Sequence, residues 1–116
     1  MKKENIVLDK SFEFALIIID LFRRLKEEKE FIISKQLLRS GTSIGANIQE
    51  ATAAFSRKDF VHKMSISSKE ARETRYWLRL LDKSKLTSID VGQHLEKVEN
   101  LIKILTKIVK TSQENK

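Results

Sequence analysis

The sequence has no proline and no cysteine, and only three glycines among its 116 residues. Turns and sheets depend on proline and glycine, so a chain this poor in both is predicted to be helical. Without cysteine it forms neither a disulfide nor a thiolate metal site, which is compatible with a reducing cytosol. The apolar run from Phe14 to Ile19 is far too short to span a bilayer and ends at Asp20. We therefore predict a cytoplasmic protein with no membrane partner.

Apolar residues recur at three- and four-residue steps in four segments, which predicts an all-α protein with four helices. The short hinge between the second and third segments requires these two helices to lie antiparallel and adjacent, as in an up-down-up-down four-helix bundle. At this length we expect a single domain over residues 1–116. The first helix is predicted to start near Asp9 or Ser11 and to end in the run RRLKEEKE, and the second to start within Phe31–Lys35, with Ser34 as a cap, and to end at about Ala54. The third is predicted to run from a cap at Ser56 to about Ser84. The fourth is predicted to follow a cap at Thr87, Ser88 or Asp90.

The first helix carries two apolar stripes that lie across the helix from each other. A helix in a lone four-helix bundle needs only one apolar face, so the second must be buried against something else. A neighbouring subunit is the simplest candidate, and we predict a homo-oligomer in preference to a helix that is merely rich in apolar residues. One stripe is Phe12, Ala15, Ile19 and Phe22; the other, to which we assign the oligomer interface, is Phe14, Ile17, Ile18, Leu21 and Leu25.

Two glycines, Gly41 and Gly45, lie one turn apart within the predicted second helix. Each costs about 1 kcal/mol relative to alanine in a helix interior. Close approach of a neighbouring helix would explain this cost, and the alternative is a local distortion that serves a ligand. The charges at Lys35, Arg39 and Glu50 exclude the membrane-spanning form of the G-x-x-x-G pattern.

A second arc of the same helix is polar yet contains no lysine, which favours a buried or interfacial hydrogen-bond network over an ordinary solvated face. Glu70 and Glu73 of the third helix are predicted to join it through a salt bridge to Arg39. A metal site is disfavoured, because the Glu-x-x-His step of di-iron bundles is absent and His62 and His94 lack ligand spacing. We predict no metal and no cofactor. The predicted structural network is Arg39, Ser43, Asn47, Glu50, Glu70 and Glu73.

The net charge of +7 is unevenly distributed along the chain. Residues 1–30 carry seven bases and seven acids, whereas residues 57–85 carry nine bases against four acids. Bases at three- and four-residue steps on the third helix can follow a phosphate backbone, although a solvated outer face is the alternative. Tyr76 borders this arc and could stack on a base, whereas Trp77 is predicted to lie in the core or a subunit contact. The predicted nucleic-acid-binding residues are Lys69, Arg72, Arg75, Tyr76, Arg79 and Lys83, with Lys103, Lys107 and Lys110 as a possible extension.

The run SGTSIGANIQEA, followed by a short turn and KMSISSKEARETRYWLRLL, resembles the bacterial four-helix-bundle family encoded in intervening sequences of 23S ribosomal RNA genes. The most specific part is the S-I-x-A-N-I-x-E core formed by Ser43, Ile44, Ala46, Asn47, Ile48 and Glu50. Accessory variability proteins of diversity-generating retroelements are relatives of this family. The resemblance implies an antiparallel bundle that assembles as a ring, usually a pentamer, with a positively charged surface for nucleic acid and no catalysis. It also implies a protein partner such as a reverse transcriptase if the gene is linked to a retroelement.

No enzyme signature is present, because the chain has no phosphate-binding glycine loop, no recognisable nucleophile–base spacing and no metal ligand set. The favoured hypothesis is a ring-forming oligomer that binds nucleic acid, with RNA preferred over DNA through the resemblance alone. The alternative is an oligomeric scaffold or accessory subunit that binds an acidic protein partner. A bundle that binds a small molecule or a metal is the third hypothesis.

Overall fold

Four α-helices make up the computed structural model of this chain, which describes residues 3–114. They are α1 (Lys3–Glu27), α2 (Ile33–Ala51), α3 (Arg57–Ser84) and α4 (Gly92–Glu114). Each helix packs against two neighbours in the cyclic order α1, α2, α3, α4, and within the described residues the diagonal pairs stay apart. The bundle measures 48 × 23 × 21 Å. The predicted all-α, antiparallel four-helix bundle is confirmed.

The start of α1 differs from the prediction. The helix begins at Lys3, so that Asp9 and Ser11 lie inside it rather than at its end. Ser11 is buried there, and its hydroxyl donates to the carbonyl oxygen of Leu8 at 2.9 Å. This back-bond satisfies the hydroxyl within the helix, which removes the need for it to act as a cap. Val7 is also fully buried, so the first turns are held in the core.

The start of α2 is capped by Glu30 instead of Ser34. The Glu30 carboxylate accepts hydrogen bonds from the backbone N–H groups of Ile32, Ile33 and Ser34 at 3.0, 3.0 and 2.7 Å. The Ser34 hydroxyl donates to the carbonyl oxygen of Glu30 at 2.8 Å. One carboxylate therefore satisfies three of the donors that a helix start leaves open. The helix ends at Ala51, three residues before the predicted end.

The predicted bounds of α3 are confirmed. The Ser56 side chain accepts from the backbone N–H of Asp59 at 3.1 Å, which is half of a capping box. The helix ends at Ser84, and Lys85 follows with a positive φ of 59°. Before α4, Asp90 Oδ1 accepts from the backbone N–H of Gly92 at 2.9 Å, so Asp90 is the cap among the three candidates.

The stripe of α1 that we assigned to the oligomer interface lies in the core of the single chain. Phe14, Ile18, Leu21 and Leu25 are fully or almost fully buried, and Ile17 is half-buried. The assignment of these residues to a subunit contact is therefore wrong. The other stripe faces outward, where Phe12 is 67% exposed and Ala15, Ile19 and Phe22 are half-buried. Spacing shows that a helix has two apolar stripes, but it does not show which of them its own bundle covers.

The glycines of α2 allow α1 to approach closely. A Cβ added to Gly41 would lie 2.9 Å from Cγ2 of Ile18, and one added to Gly45 would lie 3.2 Å from the Ser11 hydroxyl. The prediction of close packing is confirmed, and α1 is the helix that approaches. On its other side α2 meets α3 through small hydroxyl residues. Ser67 donates to the Ile44 carbonyl, and Thr74 to the Ser40 hydroxyl, both at 2.8 Å.

Candidate nucleic-acid interface

The outer arc of α3 presents most of the predicted nucleic-acid-binding residues to solvent. The helix buries Met64, Ala71 and Leu78, so residues across from this stripe face outward. Tyr76 is 56% exposed, and its ring makes an edge contact with that of Trp77, with 5.2 Å between the ring centroids and 69° between the ring planes. Trp77 itself is half-buried. The exposed members of the predicted set are Lys69, Arg72, Tyr76, Arg79 and Lys83.

Arg75 differs from the rest of the arc because α4 neutralises it. Its guanidinium lies 2.9 Å from the carboxylate of Glu99 and is half-buried. Arg72 donates to the Thr106 hydroxyl at 3.0 Å, so the two arginines join α3 to α4. Near its C-terminal end, α3 also carries Asp82, whose carboxylate lies 4.0 Å from Lys83. The C-terminal half of the arc therefore lies among acids and has a weaker positive field than the sequence suggested.

The N-terminal half of the arc continues onto α4 without an acid. Because Arg72 reaches Thr106, the exposed residues Lys103 and Lys107 lie beside it. Within α4 there is no acid between Glu99 and Glu114, and within α3 there is none between Asp59 and Glu70. We call this surface the basic face, and it comprises Lys69, Arg72, Lys103, Lys107 and Lys110.

The acids of α3 lie on its opposite flank, toward α2. Arg39 pairs with Glu70 at 3.3 Å and contacts Glu73 more closely still. Trp77 Nε1 donates to the same Glu73 carboxylate at 3.0 Å. The predicted salt bridge to Arg39 is confirmed for both glutamates. These contacts draw two negative charges away from the basic face and toward the α2–α3 side of the bundle.

The predicted polar network divides into three separate groups. Besides the Arg39 cluster, Asn47 donates to the carbonyl and hydroxyl oxygens of Ser43 at 2.9 and 3.1 Å. Glu50 pairs with Lys63 at 2.8 Å, and this hydrogen bond raises the pKa of Lys63 above its ordinary value. Glu50 is exposed and the Arg39 side chain is half-exposed, so the six residues do not form one buried network within the single chain. The interfacial form of the network stays a prediction.

Two surface grooves flank α1, and neither has the donor set of a metal site. The groove between α1 and α4, about 680 Å³, is lined by charges of both signs, including Lys10, Glu13 and Lys97. The groove between α1 and α2, about 670 Å³, is lined mainly by apolar and small residues. Within residues 3–114, no three His, Asp or Glu side chains lie together as metal ligands.

His94 is the one buried imidazole within the described residues, and it lies in the first turn of α4. Its side chain is 7% exposed, and Nδ1 has no hydrogen-bond partner. Burial lowers the pKa of His94 below its ordinary value of 6.5, and the Arg24 charge lowers it further. Asp20, Asp90 and a hydrogen bond to the Ile17 backbone oppose this shift without reversing it. The folded protein therefore favours neutral His94.

We expect the stability of the protein to fall as the pH drops below about 6.5, because the unfolded chain takes up a proton there that folded His94 resists. The stabilisation is complete above the unfolded pKa and is lost as the pH falls toward the lowered folded pKa. Urea denaturation of wild type and His94→Gln at several pH values would test this. A difference between the two proteins that does not change between pH 7 and pH 5 would contradict it, and exposed His62 serves as an internal control through His62→Gln.

The fold and the charges together define the class of this protein, which is an all-α four-helix bundle with an acid-free basic face. The chain belongs to the family of 23S rRNA-intervening sequence proteins, whose model matches residues 3–107. It is similar to a protein of unknown function from the S23 ribosomal protein family of Bacteroides thetaiotaomicron VPI-5482, known from its crystal structure. The two are 49% identical with a TM-score of 0.88, over 94% of this chain and 99% of the other. No curated protein matches this chain.

None of the helices within residues 3–114 is long and apolar enough to cross a membrane. In α1 the reason is visible, since Asp20, Arg23 and Arg24 all lie within five residues after its apolar run. The apolar residues of α1 are therefore divided between the core and an exposed surface of the bundle.

Proposed function

We propose that this protein is a non-enzymatic, ring-forming oligomer of the cytoplasm that binds nucleic acid through the basic face. The observation that carries the proposal is the continuity of positive charge from Arg72 of α3 to Lys103 and Lys107 of α4. Side chains held on two rigid antiparallel helices match a phosphate backbone better than one helix alone, because they follow it along a broad surface.

RNA is the ligand we propose to test first, since the family is described by its link to 23S rRNA. Lysine and arginine on a helical surface bind phosphates without reading sequence, so we expect binding that tolerates changes of sequence. Exposed Tyr76 lies close enough along α3 to Arg72 to stack on an unpaired base. Structured RNA with a single-stranded loop should therefore bind more tightly than a plain duplex.

Replacing Arg72, Lys103 and Lys107 by alanine is expected to weaken RNA binding about tenfold or more, because three phosphate contacts are lost. The measurement is fluorescence anisotropy of a labelled RNA hairpin, and of DNA duplex for comparison, titrated at several salt concentrations. The dependence of log K on log salt should also become shallower, by roughly 0.7 to 0.9 for each contact removed.

The matched control replaces exposed Arg23, Lys26 and Lys35 by alanine, which removes the same charge from other parts of the surface. It should retain most of the affinity if the basic face is the site. Equal losses in the two variants would mean that net charge alone drives the binding. Absence of binding by the wild type would favour the alternative, a scaffold whose basic face meets an acidic protein.

A further inference from the structure

An apolar surface covers the outer side of α1 and α2, away from the basic face. Phe12 and Leu16 are 67% and 53% exposed, and Ile19 is half-buried beside them. The groove next to them continues onto α2 along Thr42 and Gly45. Contiguous exposed apolar surfaces of this kind mark interaction sites. We call this surface the α1–α2 face, and it comprises Phe12, Ala15, Leu16, Ile19, Thr42, Gly45, Ala46 and Gln49.

The charges around the α1–α2 face exclude a polyanion as its partner. The α2 residues of the groove are uncharged, and its α1 rim carries Asp9 and Glu13. An acidic rim repels nucleic acid and anionic lipid, whereas it attracts a surface that combines apolar and basic side chains. The partner must therefore present an apolar surface with a positive charge near one end.

We infer that the α1–α2 face binds the α2–α3 side of a second copy of this chain, in a head-to-tail contact. The α2–α3 side presents one stripe of α3 in which exposed His62 and Lys69 alternate with half-buried Ile66, Glu73 and Trp77. The stripe lies on the α2 flank because Glu73 binds Arg39. This inference rests on the oligomerisation in the proposed function, and it names the two surfaces that would form the contact.

Charge complementarity supports this pairing. Ser11 of α1 packs beside Gly45, and Ser67 of α3 donates to the Ile44 carbonyl at 2.8 Å, so Ser11 and Ser67 lie at the same height in the bundle. Asp9 and Glu13 flank Ser11 in sequence, and Ile66 and Lys69 flank Ser67. When two copies stand side by side and parallel, residues at equal height meet. The acidic rim then faces Lys69, and Phe12 faces Ile66.

The positions of the two sides favour a closed ring over a filament. In the cyclic order of the helices, the α1–α2 and α2–α3 sides are adjacent and share α2. A head-to-tail contact between adjacent sides rotates each copy relative to the last, and repeated rotation closes, whereas opposite sides would extend a line. The contact also leaves Arg72 and the α4 lysines uncovered on the remaining sides, so that each copy keeps most of its basic face.

The test begins with the double variant Phe12→Gln, Leu16→Gln. Both positions are exposed, so the single chain should fold normally, and neither change alters the charge. In analytical ultracentrifugation we expect the wild type to sediment as an oligomer and the variant as a 13.5 kDa monomer. The control, Phe55→Gln with Leu86→Gln, removes two other exposed apolar side chains and should assemble like the wild type. A monomeric wild type, or a variant that assembles normally, would overturn the inference.

A mixing experiment tests the head-to-tail arrangement. The variant His62→Glu, Lys69→Glu alters the second surface and leaves the α1–α2 face intact, and alone it should also be monomeric. Because Lys69 also belongs to the basic face, this variant is used for the assembly measurement only. When the two variants are mixed, the intact α1–α2 face of this variant can pair with the intact α2–α3 side of the Phe12→Gln, Leu16→Gln variant. The mixture should therefore form a heterodimer of twice the monomer mass and stop there. If the His62→Glu, Lys69→Glu variant assembles by itself, then the α1–α2 face pairs with itself, and the head-to-tail contact is wrong.

RNA titration of the same proteins separates this inference from the proposed function. If the wild type assembles but binds no RNA, the result supports the proposed subunit contact and contradicts the proposed nucleic-acid binding. If the wild type is monomeric but binds RNA through the basic face, the result contradicts the subunit contact and supports nucleic-acid binding. If both hold, the Phe12→Gln, Leu16→Gln monomer should bind RNA more weakly than the ring, because several linked basic faces act together.

Discussion

Replacing Leu21 by alanine should lower the free energy of unfolding by about 2–5 kcal/mol, the range for a large aliphatic side chain removed from a packed core. Leu21 is fully buried within the single chain, on the stripe of α1 that also buries Phe14, Ile18 and Leu25. The expected loss of stability has two parts: the free energy of burying the removed carbon atoms, and the cost of the cavity that remains in the packed core. Urea denaturation followed by circular dichroism measures it as a lower midpoint at unchanged slope.

This experiment also separates the two stripes of α1. It is best done in the Phe12→Gln, Leu16→Gln background, so that subunit dissociation does not add to the measured stability. Phe55→Ala in the same background is the control, since a fully exposed side chain should change stability by less than about 0.5 kcal/mol. If Leu21→Ala instead dissociated the wild-type oligomer and left the stability of the monomer unchanged, the first assignment of this stripe to the subunit contact would be restored.

Replacing Gly41 by leucine should destabilise the fold by about 3 kcal/mol, at the upper end of what overpacking costs. The contact that opposes it is specific, because a Cβ at this position already lies 2.9 and 3.0 Å from the two γ carbons of Ile18. Ile18 is fully buried in a close-packed core, so its side chain cannot move aside without displacing its neighbours. The backbones of α1 and α2 must then separate, which loosens the core along the whole contact. Thermal and urea denaturation would both register the change.

Alanine variants at the two glycines form a matched pair. Gly41→Ala should be near neutral to moderately destabilising, because the gain of about 1 kcal/mol in helix propensity opposes the clash with Ile18. Gly45→Ala should be neutral or stabilising. There a Cβ would lie 3.2 Å from the Ser11 hydroxyl in a half-exposed groove, a longer contact than the 2.9 Å at Gly41, and a shift of a few tenths of an ångström would relieve it. A loss at Gly45 as large as that at Gly41 would show that the groove is packed as tightly as the core.

The bundle separates its charges by pairing acids on one side and leaving bases on another. Glu70 and Glu73 are held by Arg39 on the α2–α3 side. Arg39 is exposed, whereas Glu70 and Glu73 are half-buried, so each pair contributes only modestly to stability. Their effect on the surface potential is larger, because they leave α3 with an acid-free flank beside the lysines of α4. The proposed subunit contact uses the paired side, and the proposed nucleic-acid contact uses the flank without acids.

Local signals in the sequence determined the four helices, the bounds of α3 and the exposed arc of α3. Ser56 and Asp59 lie three residues apart, and this spacing alone places the helix start, because a capping bond involves only neighbouring residues. The arc of Lys69, Arg72 and Tyr76 follows from helical periodicity in the same way. The start of α2 lies within the predicted range, but the start of α1 and the cap of α2 escaped prediction. Ser11 and Ser34 resemble caps, yet their hydroxyls donate to the backbone carbonyls of Leu8 and Glu30, and Glu30 caps α2.

Only the tertiary structure decided which apolar stripe of α1 is covered and which bases remain unpaired. Phe12 and Phe14 have the same chemistry and the same periodicity, and their burial differs because α2 and α4 pack on one side of α1. Arg75 is joined to Glu99, 24 residues away in sequence, and Arg72 is brought beside Lys103 and Lys107 in the same manner. A sequence shows residue types and their local spacing. Contacts between helices depend on which helix faces pack together in the bundle, and these contacts determine which surfaces remain exposed.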